Sequence, residues 1–232
     1  MTLPRLEGAH ERLDDPRHEP AILERSLDHV AAVNRWLGGR RALLRHVSRR
    51  LFPGHASILD VGTGSADLPL AIARWARRHG RSAEITAVDV HPQIAGLARR
   101  RADADSAVRV AAANGLRLPF PDNAFDVALL SLTLHHFDGA AQLRLLAELA
   151  RVVRGWVVVG ELRRTRLSYL GARLLAATVW RRNPLTRHDG PLSVLRAFQP
   201  QELRRLAAEA GFRDVAVHSH PLFRLVLTAR PG

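Results

Sequence analysis

The chain has 232 residues, a formal net charge of +13 and no cysteine. At about 150 residues per domain, this length fits one domain with a helical cap. The missing thiols exclude disulfide scaffolds, thiolate zinc sites and cysteine nucleophiles. All 35 basic residues are arginine. They recur in pairs from Arg40-Arg41 to Arg204-Arg205 with few aromatics beside them. That pattern suits solvated helix faces better than a nucleic-acid stripe. No apolar run approaches the ~18 residues of a membrane span. Residues Met1 to Glu7 lack an apolar h-region, so the expectation is a cytoplasmic protein.

Residues 1–16 are polar and read as a loosely held arm. From Pro20 the spacing of Ile22, Leu23, Leu27, Val30 and Val33 predicts a helix that ends near Gly38-Gly39. Leu43, Leu44, Val47 and Leu51 predict a second, stopped by Pro53-Gly54. Then short apolar runs alternate with helical periodicity. Strands are predicted over 57–61, 84–90, 107–111, 125–131 and 155–160, with helices over 68–78, 93–102 and 140–153. Continuous apolar strands alternating with helices require a parallel sheet covered on both faces. Beyond Glu161 the prediction is a helix over 169–180, a polar loop over 181–191 and a helix over 200–210 stopped by Gly211. An antiparallel pair over 215–218 and 223–227 then closes the sheet edge.

The sharpest motif is Ile58-Leu59-Asp60-Val61-Gly62-Thr63-Gly64-Ser65-Ala66-Asp67, a strand running into glycines and then a helix. Small residues there let a ligand touch the backbone and the helix N-terminal amides. A dinucleotide fingerprint needs a small residue at position 67. Asp67 would repel a pyrophosphate, so a nucleoside without phosphates is favoured. Asp89 closes the second predicted strand. Asn114-Gly115 is followed by Leu118-Pro119-Phe120-Pro121-Asp122 and Phe125-Asp126.

Together these residues resemble the class I S-adenosylmethionine-dependent methyltransferases, over residues 58 to about 160. The resemblance implies an α/β fold: a Rossmann-like, seven-stranded, mostly parallel sheet with an antiparallel terminal hairpin, helices on both faces and an N-terminal helical cap. It implies S-adenosylmethionine as cofactor. Gly62, Thr63 and Gly64 would carry its methionine part, with Asp60 near the ammonium. Asp89 would bind the ribose and Val90 the adenine. Asn114 and Gly115 would lie at the base edge, and Ser131 at the end of the fourth strand. Two departures stand out: Ala66 replaces the family's third glycine, and Asn114 its usual aspartate. The expected organisation is one domain, 1–232. It comprises a cap (1–53), a cofactor-binding core (54–161), an insertion lining the acceptor pocket (162–198) and a last helix with hairpin (199–232).

The fourth strand runs into Leu134-His135-His136 rather than the Asn-Pro-Pro-Tyr type of segment that resembling amide and base N-methyltransferases carry. His135 and His136 are the candidate catalytic bases, each with the alternative of capping the strand end. No H-x-x-x-H or H-E-x-x-H pattern sits at a strand end, so no metal is expected. The expected acceptor is a hydrophobic phenol, polyketide or quinol. Leu27, Val30, Val33, Trp36, Tyr169, Leu170, Leu174, Trp180 and Phe198 would supply either its walls or the packing of cap on core. O-methylation is preferred, with C-methylation of a quinone-type ring as the alternative. A nucleic-acid methyltransferase, motivated by the charge, and a non-catalytic cofactor-binding module, motivated by Ala66 and Asn114, remain as competing readings.

Overall fold

The computed structural model describes residues 3–15, 17–51 and 54–232. Five strands run parallel: β1 (His55–Val61), β2 (Ser82–Asp89), β3 (Val108–Ala112), β4 (Phe125–Ser131) and β5 (Val153–Leu162). The hairpin of β6 (Arg213–His220) and β7 (Arg224–Arg230) adds to the β5 edge, with β7 antiparallel to both neighbours. The order is β3-β2-β1-β4-β5-β7-β6. This is the expected seven-stranded, mostly parallel sheet with its antiparallel end.

The strands are apolar on both sides because both sides are covered. Ile58, Val127, Leu129 and Val158 point into a core shared with α2 (Gly39–Ser48) and α3 (Asp67–Arg78). Leu59, Ala128, Leu130, Val157 and Val159 point into a second core. It is shared with α5 (Ala140–Val152) and α8 (Pro200–Glu209). A smaller cluster joins Leu23 and Leu27 of α1 (Pro20–Trp36) to Ile94 and Leu97 of α4 (Pro92–Ala102). The strand order reverses between β1 and β4. Their carboxyl ends therefore open a crevice, the place where open α/β sheets bind ligands.

Two segments differ from the sequence expectation. The polar loop over 181–191 is largely helix: α7 spans Pro184–Arg196 and packs beside α6 (Arg166–Ala177). Asn183 caps it, accepting hydrogen bonds from the Leu185 and Thr186 amides at 3.0 and 3.2 Å, and Pro184 occupies the first turn. Gly190 lets α7 pass the Trp180 ring, which a side chain would strike. The N-terminal arm is also not loose. Over residues 3–15 it is tied across the cavity. Leu6 donates to the Leu195 carbonyl at 3.1 Å, and Arg164 donates to the Leu3 carbonyl at 2.8 Å. Arg196 donates to the carbonyls of Ala9 and His135. A 3-10 turn at Arg12–Asp14 gives the Arg12 and Leu13 amides to the Asp189 carboxylate, each at 2.9 Å. Pro16 lies outside the described residues.

Candidate active site

A cavity of about 760 Å³ opens at the carboxyl ends of β1, β2 and β4 and runs beneath α1, α6 and α7. Its first end is the turn after β1. Gly62 and Gly64 hold φ of +68° and +55°. A Cβ on Gly62 would lie 2.5 Å from the Thr133 hydroxyl, so the turn admits only glycine there. Ala66 caps α3 with φ of +58°, the left-handed region that the family's glycine would occupy without cost. The Asp89 carboxylate sits at the end of β2. It accepts from the Gly64 amide at 3.1 Å and from the His91 amide at 3.0 Å. Burial pushes its carboxyl up from the usual range, against those two amides. A carboxylate has about four lone-pair sites, so acceptor capacity remains toward the cavity.

Beneath the turn lie Asp60, Thr63 and Asp67. Burial, with Asp67 and Asp89 as like-charged neighbours, pushes the Asp60 carboxyl up to about 7. Among the described residues, Asp60 Oδ1, Thr63 Oγ1 and Asp67 Oδ2 are buried without hydrogen-bond partners. Buried acceptors of this kind are costly unless something fills them. A ligand with an ammonium and ribose hydroxyls would satisfy them. The residues present therefore fit the cofactor that the sequence motif implied.

Of the expected cofactor residues, Asp60, Gly62, Thr63, Gly64, Asp89, Val90, Gly115 and Ser131 all line this cavity. Asn114 does not join them. Its side chain accepts from the Leu116 amide at 2.9 Å and closes an exposed turn, leaving Ala113 and Gly115 on the cavity wall. Leu27, Val30, Val33, Leu174 and Trp180 line the cavity as expected. Trp36 and Leu170 are instead exposed, Tyr169 lies off the lining, and Phe198 is buried in the sheet core.

His135 and His136 follow β4 in a second 3-10 turn and reach the cavity's other end. Each gives its Nδ1 to a carboxylate: His135 to Glu161 at 2.7 Å, His136 to Asp14 at 2.9 Å. Their Nε2 atoms approach Glu11, at 3.4 Å from His135 and 3.7 Å from His136. Glu11 is buried and accepts from the Ser193 hydroxyl at 2.7 Å. Burial disfavours charge on His135. Glu161 and Glu11 outweigh it and push the imidazole up to about 10. Burial likewise opposes ionisation of Glu11, but His136 and His135 hold its carboxyl at about 2. Sequence reasoning missed Glu11, Asp14 and Glu161. The signal available was Glu161, an acid closing a buried strand at the sheet's carboxyl edge. His188 pairs with its neighbour Asp189 at 2.7 Å, inside α7 rather than in a loop. Arg224 is buried on the cavity wall with Nε and Nη1 unpartnered among the described residues. Burial lowers its pKa to about 10.

Residues 58–155 match a family model described as a methyltransferase domain. Over these residues the chain is similar to that family of methyltransferase domains. The chain is similar to the demethylmenaquinone methyltransferase of Thermus thermophilus, 35% identical over 139 residues. That alignment takes in 60% of this chain and 56% of the relative. It is also similar to the ubiquinone/menaquinone biosynthesis C-methyltransferase UbiE of Cupriavidus pinatubonensis. There the identity is 34% over 115 residues, covering 47% of this chain and 44% of the relative. The chain thus spans about half the length of the curated relatives it matches. Among solved structures, a methyltransferase from Aquifex aeolicus superposes with a TM-score of 0.67 at 16% identity. That match covers 93% of this chain and all of the other. Human N-acetylserotonin methyltransferase superposes at 0.64 with 20% identity, over 89% of this chain and 55% of its own. These two establish the fold of the methyltransferase domain and its helical surroundings.

Proposed function

We propose that the chain transfers a methyl group from S-adenosylmethionine to a hydrophobic small molecule, a phenol, polyketide or quinol. O-methylation is preferred. C-methylation of a quinone-type ring is the alternative, which the names of the menaquinone and ubiquinone relatives favour. The observation that carries the proposal is continuity. One cavity joins the glycine turn and Asp89 to the His135–His136 pair under an apolar helical cover.

The cofactor supplies an electrophilic methyl group on a sulfonium, displaced in line. The protein's part is to seat both reactants. Asp60, Gly62, Thr63, Gly64 and Asp89 hold the donor, with Val90, Gly115 and Ser131 around it. Leu27, Val30, Val33 and Leu174 hold the acceptor's apolar body. Holding the reacting atoms in line supplies ~7–11 kcal/mol of barrier reduction. His135 and His136 meet the acceptor's reacting group, and the carboxylates that raise their pKa make either imidazole, in its neutral form, a stronger acceptor for the proton a phenol loses. Arg224, with two unpartnered donor nitrogens, gives a carbonyl or phenolate oxygen of the acceptor a partner.

The test is a mass-shift screen of phenols, polyketides and quinols with methyl-deuterated S-adenosylmethionine. The proposal predicts a labelled product, and the labelled atom separates O- from C-methylation. Label entering RNA while none of these acceptors gains it would overturn the proposal.

A further inference from the structure

We propose that Glu11, His135 and His136 form a binding site for a first-row divalent cation of the zinc type, with its open coordination position toward the acceptor chamber. The three residues each offer one ligand atom close to the others. One ligand atom from each lies within 4.8 Å of the other two, and each Nε2 is the ring nitrogen nearer Glu11. The separations of Glu11 Oε1 from His135 Nε2 and of Glu11 Oε2 from His136 Nε2, 3.4 and 3.7 Å, are too long for the charge-assisted hydrogen bonds that such pairs form at about 2.7–2.9 Å. They are close to the ~3.3 Å between neighbouring ligands around a tetrahedral ion with bonds of about 2.0–2.1 Å.

The surroundings carry the second argument. Metal-bound histidines nearly always give their distal ring N–H to a carboxylate, carbonyl or water, which fixes the tautomer that leaves Nε2 free to bind. Both histidines here do so, His135 to Glu161 and His136 to Asp14. The carboxylate ligand is itself anchored, by the Ser193 hydroxyl at 2.7 Å. Among the described residues, neither Nε2 makes a hydrogen bond that a cation would have to displace. Glu11, Glu161 and Asp14 all face the pair, and a cation bound there takes the place of the Nε2 protons between the imidazoles and Glu11. Three protein ligands and one open side toward a cavity are the pattern of catalytic rather than structural zinc sites. A hydroxyl bound at the open position would lose its proton more readily, which suits a phenolic acceptor. Sequence patterns could not disclose this site, because Glu11 comes from the N-terminal arm and the histidines from the end of β4. Metal binding does not depend on the methyl-transfer reading.

The test uses the full chain, stripped with a chelator and titrated with Co(II). We expect visible d–d absorption that saturates at about one equivalent and is displaced by Zn(II) but not by Mg(II). Glu11→Gln and His136→Gln should each abolish it. Asp14→Asn should weaken the affinity about 10- to 100-fold, as loss of an orienting carboxylate does. The histidines His46, His218 and His220 also cluster, with His46 and His220 Nε2 atoms 2.9 Å apart. The His46→Gln/His218→Gln double variant is therefore the control and should bind cobalt unchanged. The proposal is overturned if the folded, stripped chain gives no such spectrum. It is equally overturned if the spectrum survives Glu11→Gln and His136→Gln but vanishes in the control. Circular dichroism checks the fold of each variant, and His136→Gln, at the half-buried edge, serves if Glu11→Gln fails to fold. Calorimetry with S-adenosylhomocysteine on the same samples keeps a failure here distinct from a failure of the methyl-transfer reading.

Discussion

Ala66 is the residue at which this chain departs from the family's glycine loop, and its φ of +58° gives the departure a cost. The left-handed region disfavours an L side chain by roughly 1–2 kcal/mol. Ala66→Gly should recover about 1 kcal/mol, because glycine's larger unfolded-state entropy offsets part of the relief; urea unfolding checks it. Asp89 bears more directly on function. Its carboxylate already holds Gly64 and His91 in place. Asp89→Ala should therefore lose about 2–4 kcal/mol of affinity for S-adenosylhomocysteine in calorimetry. An unchanged dissociation constant would remove Asp89 from the donor site. Arg224 belongs to the acceptor end. Arg224→Met should raise the acceptor's KM about tenfold or more while leaving S-adenosylhomocysteine affinity alone.

At the level of elements, the arm and α7 form one unit around the buried Arg196. Arg196 reaches the carbonyls of Ala9 and His135 and approaches Asp138 at 3.3 Å. Arg196→Met strips those partners and should destabilise the fold by about 3 kcal/mol in urea unfolding. A second element-scale consequence lies where α2 meets β6. Burial, with His218 and His220 beside it and Arg50 and Arg49 nearby, lowers the His46 pKa from 6.5 to about 4. In that interval the unfolded chain binds the proton and the folded chain does not. The stability contributed by neutral His46 is therefore complete above pH 6.5 and lost progressively as pH falls toward 4. Melting temperature should drop over that window, and His46→Gln should flatten the drop.

The elements also explain what the sequence disclosed. β1, β4 and β5 were legible because a parallel strand buried on both faces is a continuous apolar run, and the turn after β1 because its left-handed Gly62, closed in by Thr133, demands glycine. α7 was hidden by its own composition. Gly190 and Pro191 sit within it and its exposed positions are polar, although Asn183-Pro184 carried a cap signature. The arm was hidden for a different reason. Glu11 reads locally as a solvated acid, and only the folded chain brings it to His135 and His136. Asn114 lies off the cavity lining because a family position fixes where the chain passes, not whether the side chain turns inward.

Over the whole molecule, the arginine surplus is spread rather than confined to one element. Exposed arginines lie on all of α1 to α8, the helices over the cavity and those on both faces of the sheet alike. Several are engaged locally, as Arg77 is with Asp105 and Arg101 with Glu24 and Asp28. This dispersal favours a small-molecule acceptor over a nucleic acid. Among the described residues, no helix is long and apolar enough to cross a membrane. What unifies the molecule is the cavity, which runs from the glycine turn and Asp89 on the sheet to His135 and His136 under the arm, α1, α6 and α7. A crystal structure with S-adenosylhomocysteine tests that arrangement most directly. The account predicts ribose hydroxyls on Asp89, the methionine part over Gly62–Gly64, and the sulfur facing the chamber that holds His135 and His136. A ligand whose ribose avoids Asp89, or whose sulfur points away from that chamber, would contradict it.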